Sequence, residues 1–390
     1  MREDWEYKKL EDISSSVLIE KAKKRFSPND VIRYIDISSI DNINQCLTGT
    51  TSFKMLDAPS RAQQKVEYGD ILISTVRPNL RNIAIVNDDA TNLVASSGFC
   101  VLRINDAALR RYVFYYVVSN KFTAYLEKLT NGANYPAVKE TDVRKALIPI
   151  PPKPTQLSIV TELDKLNELI RIKKEQLKDY DALAQSIFYE MFGDPVVNEK
   201  GWEVKTFGDI GTLERGAGIS KKDFVEDGLP CVHYGQLHTT FGAYTRKNIT
   251  FIPKDLFPKY KIAHPGDLIL AITSEDVEGS CKSTAWLGDY DVVVGSDAAI
   301  FHHNQDGIYL SYYTRTKAFY NEKAKYAKGF KVTHISTKEI ASISICVPPL
   351  SIQNTFANKI EQIERQKTII QESIADLETL LASRMQYWFD

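Results

Sequence analysis

The chain has 390 residues, of which 43% are hydrophobic and 25% charged, and a formal net charge of −1. That length suits two globular domains with real cores, and no apolar run approaches the roughly 18 residues that a membrane-crossing helix needs. A uniformly basic surface is excluded: residues 1–150 carry 21 Lys+Arg against 18 Asp+Glu and residues 196–350 carry 18 of each, so any surface suited to a polyanion is local.

In chain order, the charged start Met1–Leu10 has no signal-peptide core, which leads us to expect a cytoplasmic protein. Trp5-Glu-Tyr-Lys8 opens the first half, and Lys21-Ala-Lys-Lys-Arg25 is a basic cluster. Short apolar runs predict strands at Val66–Thr75, Ile83–Val86 and Phe99–Ile104, and an amphipathic helix follows near Leu109–Leu129. Pro149–Pro154 is rich in breakers. A long helix follows, with Ile159, Leu163, Leu166, Ile170, Lys173, Leu177, Tyr180, Ala184, Ile187 and Met191 spaced by fours and threes.

The pattern then begins again. Trp202-Glu-Val-Lys205 repeats the opening at an offset of 197 residues, and the same offset relates Gly69-Asp70 to Gly266-Asp267, Gly132 to Gly329, Pro151-Pro152 to Pro348-Pro349 and Gln156 to Gln353. One offset held over nearly the whole chain predicts a tandem duplication. Strands are expected at Asp267–Ile272 and Val292–Val294 and a helix near Tyr309–Tyr326, before the breakers at 347–349. The second long helix carries Phe356, Ile360, Ile363, Lys367, Ile370, Ile374, Leu377, Leu381, Arg384 and Trp388, the same stripe 197 residues on. An apolar residue every 3.5 positions is a coiled-coil seam, and roughly 36 residues of helix give a rod of about 54 Å. We expect the two helices to pair antiparallel, which suits an internal two-fold axis.

Two diverged domains alternating with two matched helices, each domain opening on Trp-Glu-x-Lys, carrying a central Gly-Asp strand and closing on Pro-Pro-x-x-x-Gln, resemble the specificity subunit of type I restriction–modification systems across essentially the whole chain. The resemblance implies an α+β chain of two mixed target recognition domains at 1–152 and 195–349. They are separated by spacer helices at 153–194 and 350–390 that form a long antiparallel two-helix coiled coil with internal pseudo-two-fold symmetry. It implies a non-catalytic protein that reads a bipartite, asymmetric site on double-stranded DNA and binds two methyltransferase subunits and the restriction subunits. The methyl donor, ATP and Mg²⁺ are then expected on those partners, and no membrane is involved. A related system with cleavage and methylation on one partner, and a dumbbell-shaped protein scaffold, remain open alternatives.

Base edges and phosphates are read by Arg, Lys, Asn, Gln, Ser and Thr on loops. Candidate DNA contacts in the first half are Lys21, Lys23, Lys24 and Arg25, then Arg77, Asn79 and Arg81 after the Gly-Asp strand, then Asn131, Asn134 and Tyr135. In the second half they are Lys221 and Lys222, Tyr234 and Gln236, Ser274, Lys282 and Ser283, and Lys328, Lys331 and His334. Catalytic signals are weak. Glu6-x-Lys8 and Glu203-x-Lys205 are only the tail of a nuclease pattern, and no GxxxxGK[ST] loop occurs. The five cysteines form no CxxC, and Cys231, His233, His238 and His264 have no metal-ligand spacing.

Overall fold

The computed structural model describes residues 5–15, 21–130, 136–254, 260–326 and 333–389. The chain divides into two compact units, one of Met1–Lys174 with Glu372–Asp390 and one of Glu175–Gln371.

In the first unit Glu6–Lys9 pairs antiparallel with Leu147–Ile150, closing the unit's first and last strands on each other. The central sheet is Phe99–Leu102, Ile71–Ser74 and Ile83–Ile85, all antiparallel. All four residues of Ile71–Ser74 are buried, because both faces of this sheet are covered. Ile71 and Ile73 join a core formed with Tyr112, Val113 and Phe122, while Leu72 packs with Ile35, Val86 and Val101. A second sheet has the order Thr51–Lys54, Val31–Ile35, Leu93–Ser96, Ala62–Lys65, with the middle two strands parallel.

The second unit repeats this plan with a larger sheet. Glu203–Thr206 pairs with Ser344–Val347. Leu268–Ala271 sits inside a five-stranded sheet, with Leu268 and Leu270 facing one core and Ile269 and Ala271 another. Leu229–Val232 and Val292–Val294 are the parallel pair of its four-stranded sheet.

Three expectations change in detail. The run Val66–Thr75 is not one strand. A turn at Tyr68–Asp70 interrupts it, with Gly69 left-handed at φ +88 and the Asp70 carboxylate accepting from Glu67 N at 2.9 Å. The helix near Leu109–Leu129 is two, Ala107–Val117 and Asn120–Lys128, because the Ser119 hydroxyl caps the second by accepting from Phe122 N. Tyr309–Tyr326 splits the same way into Gly307–Tyr313 and Lys317–Ala324, capped by Thr316 on Phe319 N.

The long helices are Lys153–Phe192 and Leu350–Phe389. Gln156 and Gln353 are both buried at their starts and donate back to Pro151 O and Pro348 O at 2.7 and 2.8 Å. Ile159, Leu163, Leu166 and Ile170 are buried, as are Phe356, Ile360, Ile363 and Ile374. Leu177, Ile187, Ile370, Leu377 and Leu381 are half-buried. Near the end of the first helix the buried residues are Ala184, Phe188 and Phe192, a stride of four that displaces Ile187 from the seam as the helix packs into a domain core. In the first unit Glu162 meets Arg384 and Trp388, and Lys174 meets Glu378 at 2.8 Å, so numbers fall along one segment as they rise along the other. In the second, Lys367 bridges Asp181 and Glu364 at 2.7 and 2.8 Å. Burial pulls the Lys367 pKa down, but the two carboxylates outweigh it and the pKa is raised. Two of the charged interruptions of the seam, Lys367 and Arg384, are thus paired. Among the described residues no helix is long and apolar enough to cross a membrane.

Candidate nucleic-acid interface

In the second unit, the chain leaves Leu268–Ala271 and forms the two-residue strand Thr273–Ser274, which pairs antiparallel with Thr333–His334. Thr273 Oγ1 lies 3.3 Å from His334 Nδ1, and Thr273 O lies 3.2 Å from His238 Nε2. Lys282 Nζ donates to His238 O at 2.7 Å. Segments separated by up to 100 residues therefore meet at one end of the five-stranded sheet, and they carry Tyr234, Ser274, Lys282 and His334. His334 and Lys282 are exposed and Tyr234 and Ser274 half-buried. Burial lowers the Lys282 pKa, and the positive charge of Arg315 lowers it further. Lys221 and Lys222 are exposed on the turn Lys221–Asp223. His233 is held below its usual pKa by burial first and then by the charge of Lys221, and its ring lies 5.8 Å from that of Phe224, which directly follows the turn.

Two candidates are not available to DNA. Gln236 is buried and engaged at both ends of its amide: its Oε1 accepts from His233 N at 2.9 Å and its Nε2 donates to Thr250 Oγ1 at 2.9 Å. It is a capping residue of the helix Tyr234–Thr239. Ser283 is buried in the central sheet, its hydroxyl 2.7 Å from that of Thr314.

The first unit has the same junction. Val76 bridges to Ala137, 197 residues before Thr273 and His334. Arg77 N donates to Pro136 O at 2.8 Å, and Val138 N to Thr75 O at 2.9 Å. Arg77 and Arg81 are both left-handed, at φ 49 and 52, on either side of the turn Pro78–Leu80. Such a conformation costs a residue with a side chain about 1 kcal/mol. Arg77 and Asn79 are exposed, whereas Arg81 is half-buried and donates to Asn120 Oδ1 at 2.6 Å. Lys23, Lys24 and Arg25 are exposed on the short helix Ala22–Arg25, which Ala22 anchors in the core. Lys21 bridges to Gln64. The basic helix packs beside the strand Ala62–Lys65. Asn131, Asn134, Tyr135, Lys328 and Lys331 lie outside the described residues.

His238, weighed in the sequence only as a metal ligand, and Arg315 were not among the candidate contacts. The Arg315 guanidinium donates to Ser283 O at 2.8 Å and Gly242 O at 3.2 Å, joining a helix end to the sheet and a loop. Neither residue stands in a periodic pattern or basic cluster, so only the fold reveals them. Glu6–Lys8 and Glu203–Lys205 are ion pairs along the two opening strands, at 3.3 and 3.1 Å.

The model of the family described as "Type I restriction modification DNA specificity domain" matches residues 2–179 and again residues 199–379. The chain belongs to this family. The two specificity-domain matches begin 197 residues apart, which is the internal repeat. Among relatives, the specificity subunit of the type I restriction enzyme HindI from Haemophilus influenzae is 26% identical over 49% of this chain. That of MjaVIII from Methanocaldococcus jannaschii is 23% identical over 65% of it. The chain spans 41% and 63% of the length of these two relatives. A chain solved in work on complex assembly and conformational transition of the type I R-M system superposes with a TM-score of 0.61 and 25% identity, covering 99% of this chain and 97% of that one.

Proposed function

We infer that this chain is the non-catalytic DNA-reading subunit of a type I restriction–modification system. Each specificity domain reads one half of a bipartite, asymmetric site on double-stranded DNA. The observation that carries this is the duplicated junction in which the loop after the Gly-Asp strand is bridged to the segment near 136 in one unit and near 333 in the other. The scaffold positions match at an offset of 197, while the side chains they present differ: Val76, Arg77 and Ala137 against Thr273, Ser274 and His334. Equal frames with unequal loops suit two different half-sites.

The domain limits that fit this reading are 1–152 and 195–349. The helices at 153–194 and 350–390 act as spacers, paired as an antiparallel coiled coil, and the cross-helix ion pairs within each unit support that pairing. Adenine methylation, ATP-dependent cleavage and their cofactors belong to two methyltransferase subunits and to restriction subunits. The experiment is to co-express the chain with its methyltransferase in a host without other DNA methylation and to map methylated adenines. The reading requires a split, asymmetric motif with one methylated adenine in each half. Methylation that is unchanged when this chain is omitted overturns it.

A further inference from the structure

Laid over each other at the offset of 197 residues, the long helices Lys153–Phe192 and Leu350–Phe389 differ at every one of the ten seam positions: Ile159 corresponds to Phe356, Ile170 to Lys367 and Ala184 to Leu381. Packing tolerates such changes. Five exposed positions are nevertheless identical: Ile172 and Ile369, Glu175 and Glu372, Asp179 and Asp376, Leu183 and Leu380, Ser186 and Ser383. The remaining identities are buried, Gln156 with Gln353 at the helix starts and Phe192 with Phe389 in the domain cores.

Spacings of 3, 4, 4 and 3 residues keep the five on one face of each helix. Leu183 and Leu380 are both 46% exposed, so their identity is not a demand of the core. Each unit holds one full set. In the first, Ile172 is level with Leu380, because Lys174 meets Glu378 and the numbers run in opposite directions, and Glu372, Asp376 and Ser383 share the helix of Leu380. In the second, Asp181 meets Lys367, which brings Ile369 within about one turn of Leu183, on the helix of Glu175, Asp179 and Ser186.

An exposed residue that serves only solubility is free to drift between duplicated copies, as the rest of this helix surface has. A stripe kept twice, beside two diverged domains, suits one partner bound twice. The two acids in each set disfavour DNA, whose phosphates they would repel. They equally disfavour a second copy of this chain, which would set like charges against each other. The partner that fits carries Lys or Arg among apolar side chains and comes in two copies. Of the components inferred above, the methyltransferase is the one needed once per half-site. A stable interface buries about 800 Å² on each partner, more than five side chains supply, so the stripe is its anchor rather than its whole extent.

We propose that each stripe anchors one methyltransferase subunit through a basic, apolar segment of that partner; this rests on the function inferred above. Full-length chain is titrated with its methyltransferase, and native mass spectrometry counts the copies bound. The wild type is expected to hold two. Glu175→Lys with Asp179→Lys and, separately, Glu372→Lys with Asp376→Lys, each shown to be folded by circular dichroism, are expected to weaken one of the two copies by about tenfold or more and leave the other unchanged. All four changes together are expected to weaken both. Leu183→Ala with Leu380→Ala, which alters no charge, should weaken both copies as well, and Lys178→Glu, off the stripe, should keep both. Charge-reversed chains that hold two copies at wild-type affinity overturn the proposal and leave the inferred function standing, as does loss of both copies from a variant changed in one helix. A wild-type chain that holds no methyltransferase overturns the function itself.

Discussion

The Tyr112 ring packs against that of Phe389, with 5.5 Å between centroids. At the same offset of 197, Tyr309 packs against Phe192 at 4.8 Å. Each tyrosine hydroxyl also donates to its own half's closing strand, Tyr112 to Pro149 O at 2.7 Å and Tyr309 to Cys346 O at 2.6 Å. Each domain core is therefore completed by the last aromatic of the helix that belongs to the other half of the sequence.

Phe389 is 2% exposed and near the end of the chain. Phe389→Ala is expected to destabilise the first unit by about 3–5 kcal/mol. Residues 1–174 alone should unfold at a lower temperature than the same fragment mixed with a 372–390 peptide. Thermal unfolding checks both, and equal melting temperatures would count against the shared core.

Asp70 is 1% exposed and takes a two-pronged bond from Arg103, Nε to Oδ1 at 2.8 Å and NH2 to Oδ2 at 2.7 Å. Its counterpart Asp267 pairs with His302 Nδ1 at 2.8 Å. Arg103 is 24% exposed and keeps Glu67 at 3.3 Å, so Asp70→Ala is expected to cost about 1–3 kcal/mol in urea unfolding, chiefly through the lost charge-assisted bonds. Exchanging the pair for apolar residues of similar volume should cost much less.

His303 is held at a pKa of about 4, because burial disfavours its charged form. Its folded pKa lies below its unfolded value, so its contribution is intact above the unfolded pKa and is lost as pH falls through the window towards 4. This group alone is expected to make the protein about 2 kcal/mol less stable at pH 5 than at pH 7.5. His303→Gln should remove that share of the acid sensitivity, read from urea midpoints at the two pH values.

Lys282 and Arg77 are exposed cations at the two junctions, Lys282 through its bond to His238 O and Arg77 on the bridged loop itself. Changing Lys282 to Ala is expected to weaken DNA binding by the methyltransferase complex evenly across sequences and to reduce the salt slope by about 1. A change at Ser274 or His334 should instead alter preference in one half-site only. Competition binding at several salt concentrations separates the two classes. A Lys282→Ala complex that keeps the wild-type salt slope would remove that residue from the interface.

The duplication and the helix limits were legible because each leaves a local mark, a fixed offset and a 3.5-residue stripe, whereas the turn at Gly69-Asp70 was absorbed into one expected strand. The split of Leu109–Leu129 into two helices was not, since Ser119 reads as an ordinary polar residue until its hydroxyl is seen on Phe122 N. Gln236 and Ser283 carry the chemistry of DNA contacts and were chosen for it, but a side chain's polarity does not say whether its partner is solvent or another buried group.

The sequence by itself determined that the chain is built twice on one plan, that each half ends in a long helix with one apolar stripe, and which residue types were available on its loops. Periodicity and spacing are properties of neighbours along the chain, and they survive in the string of letters. Only the tertiary structure decided which loops meet, that Lys282 reaches His238 while Ser283 turns into the core, and that Phe192 and Phe389 finish the core of the opposite half. Those outcomes depend on contacts between residues tens to hundreds of positions apart, and on burial, which belongs to the packed solid rather than to any segment of it.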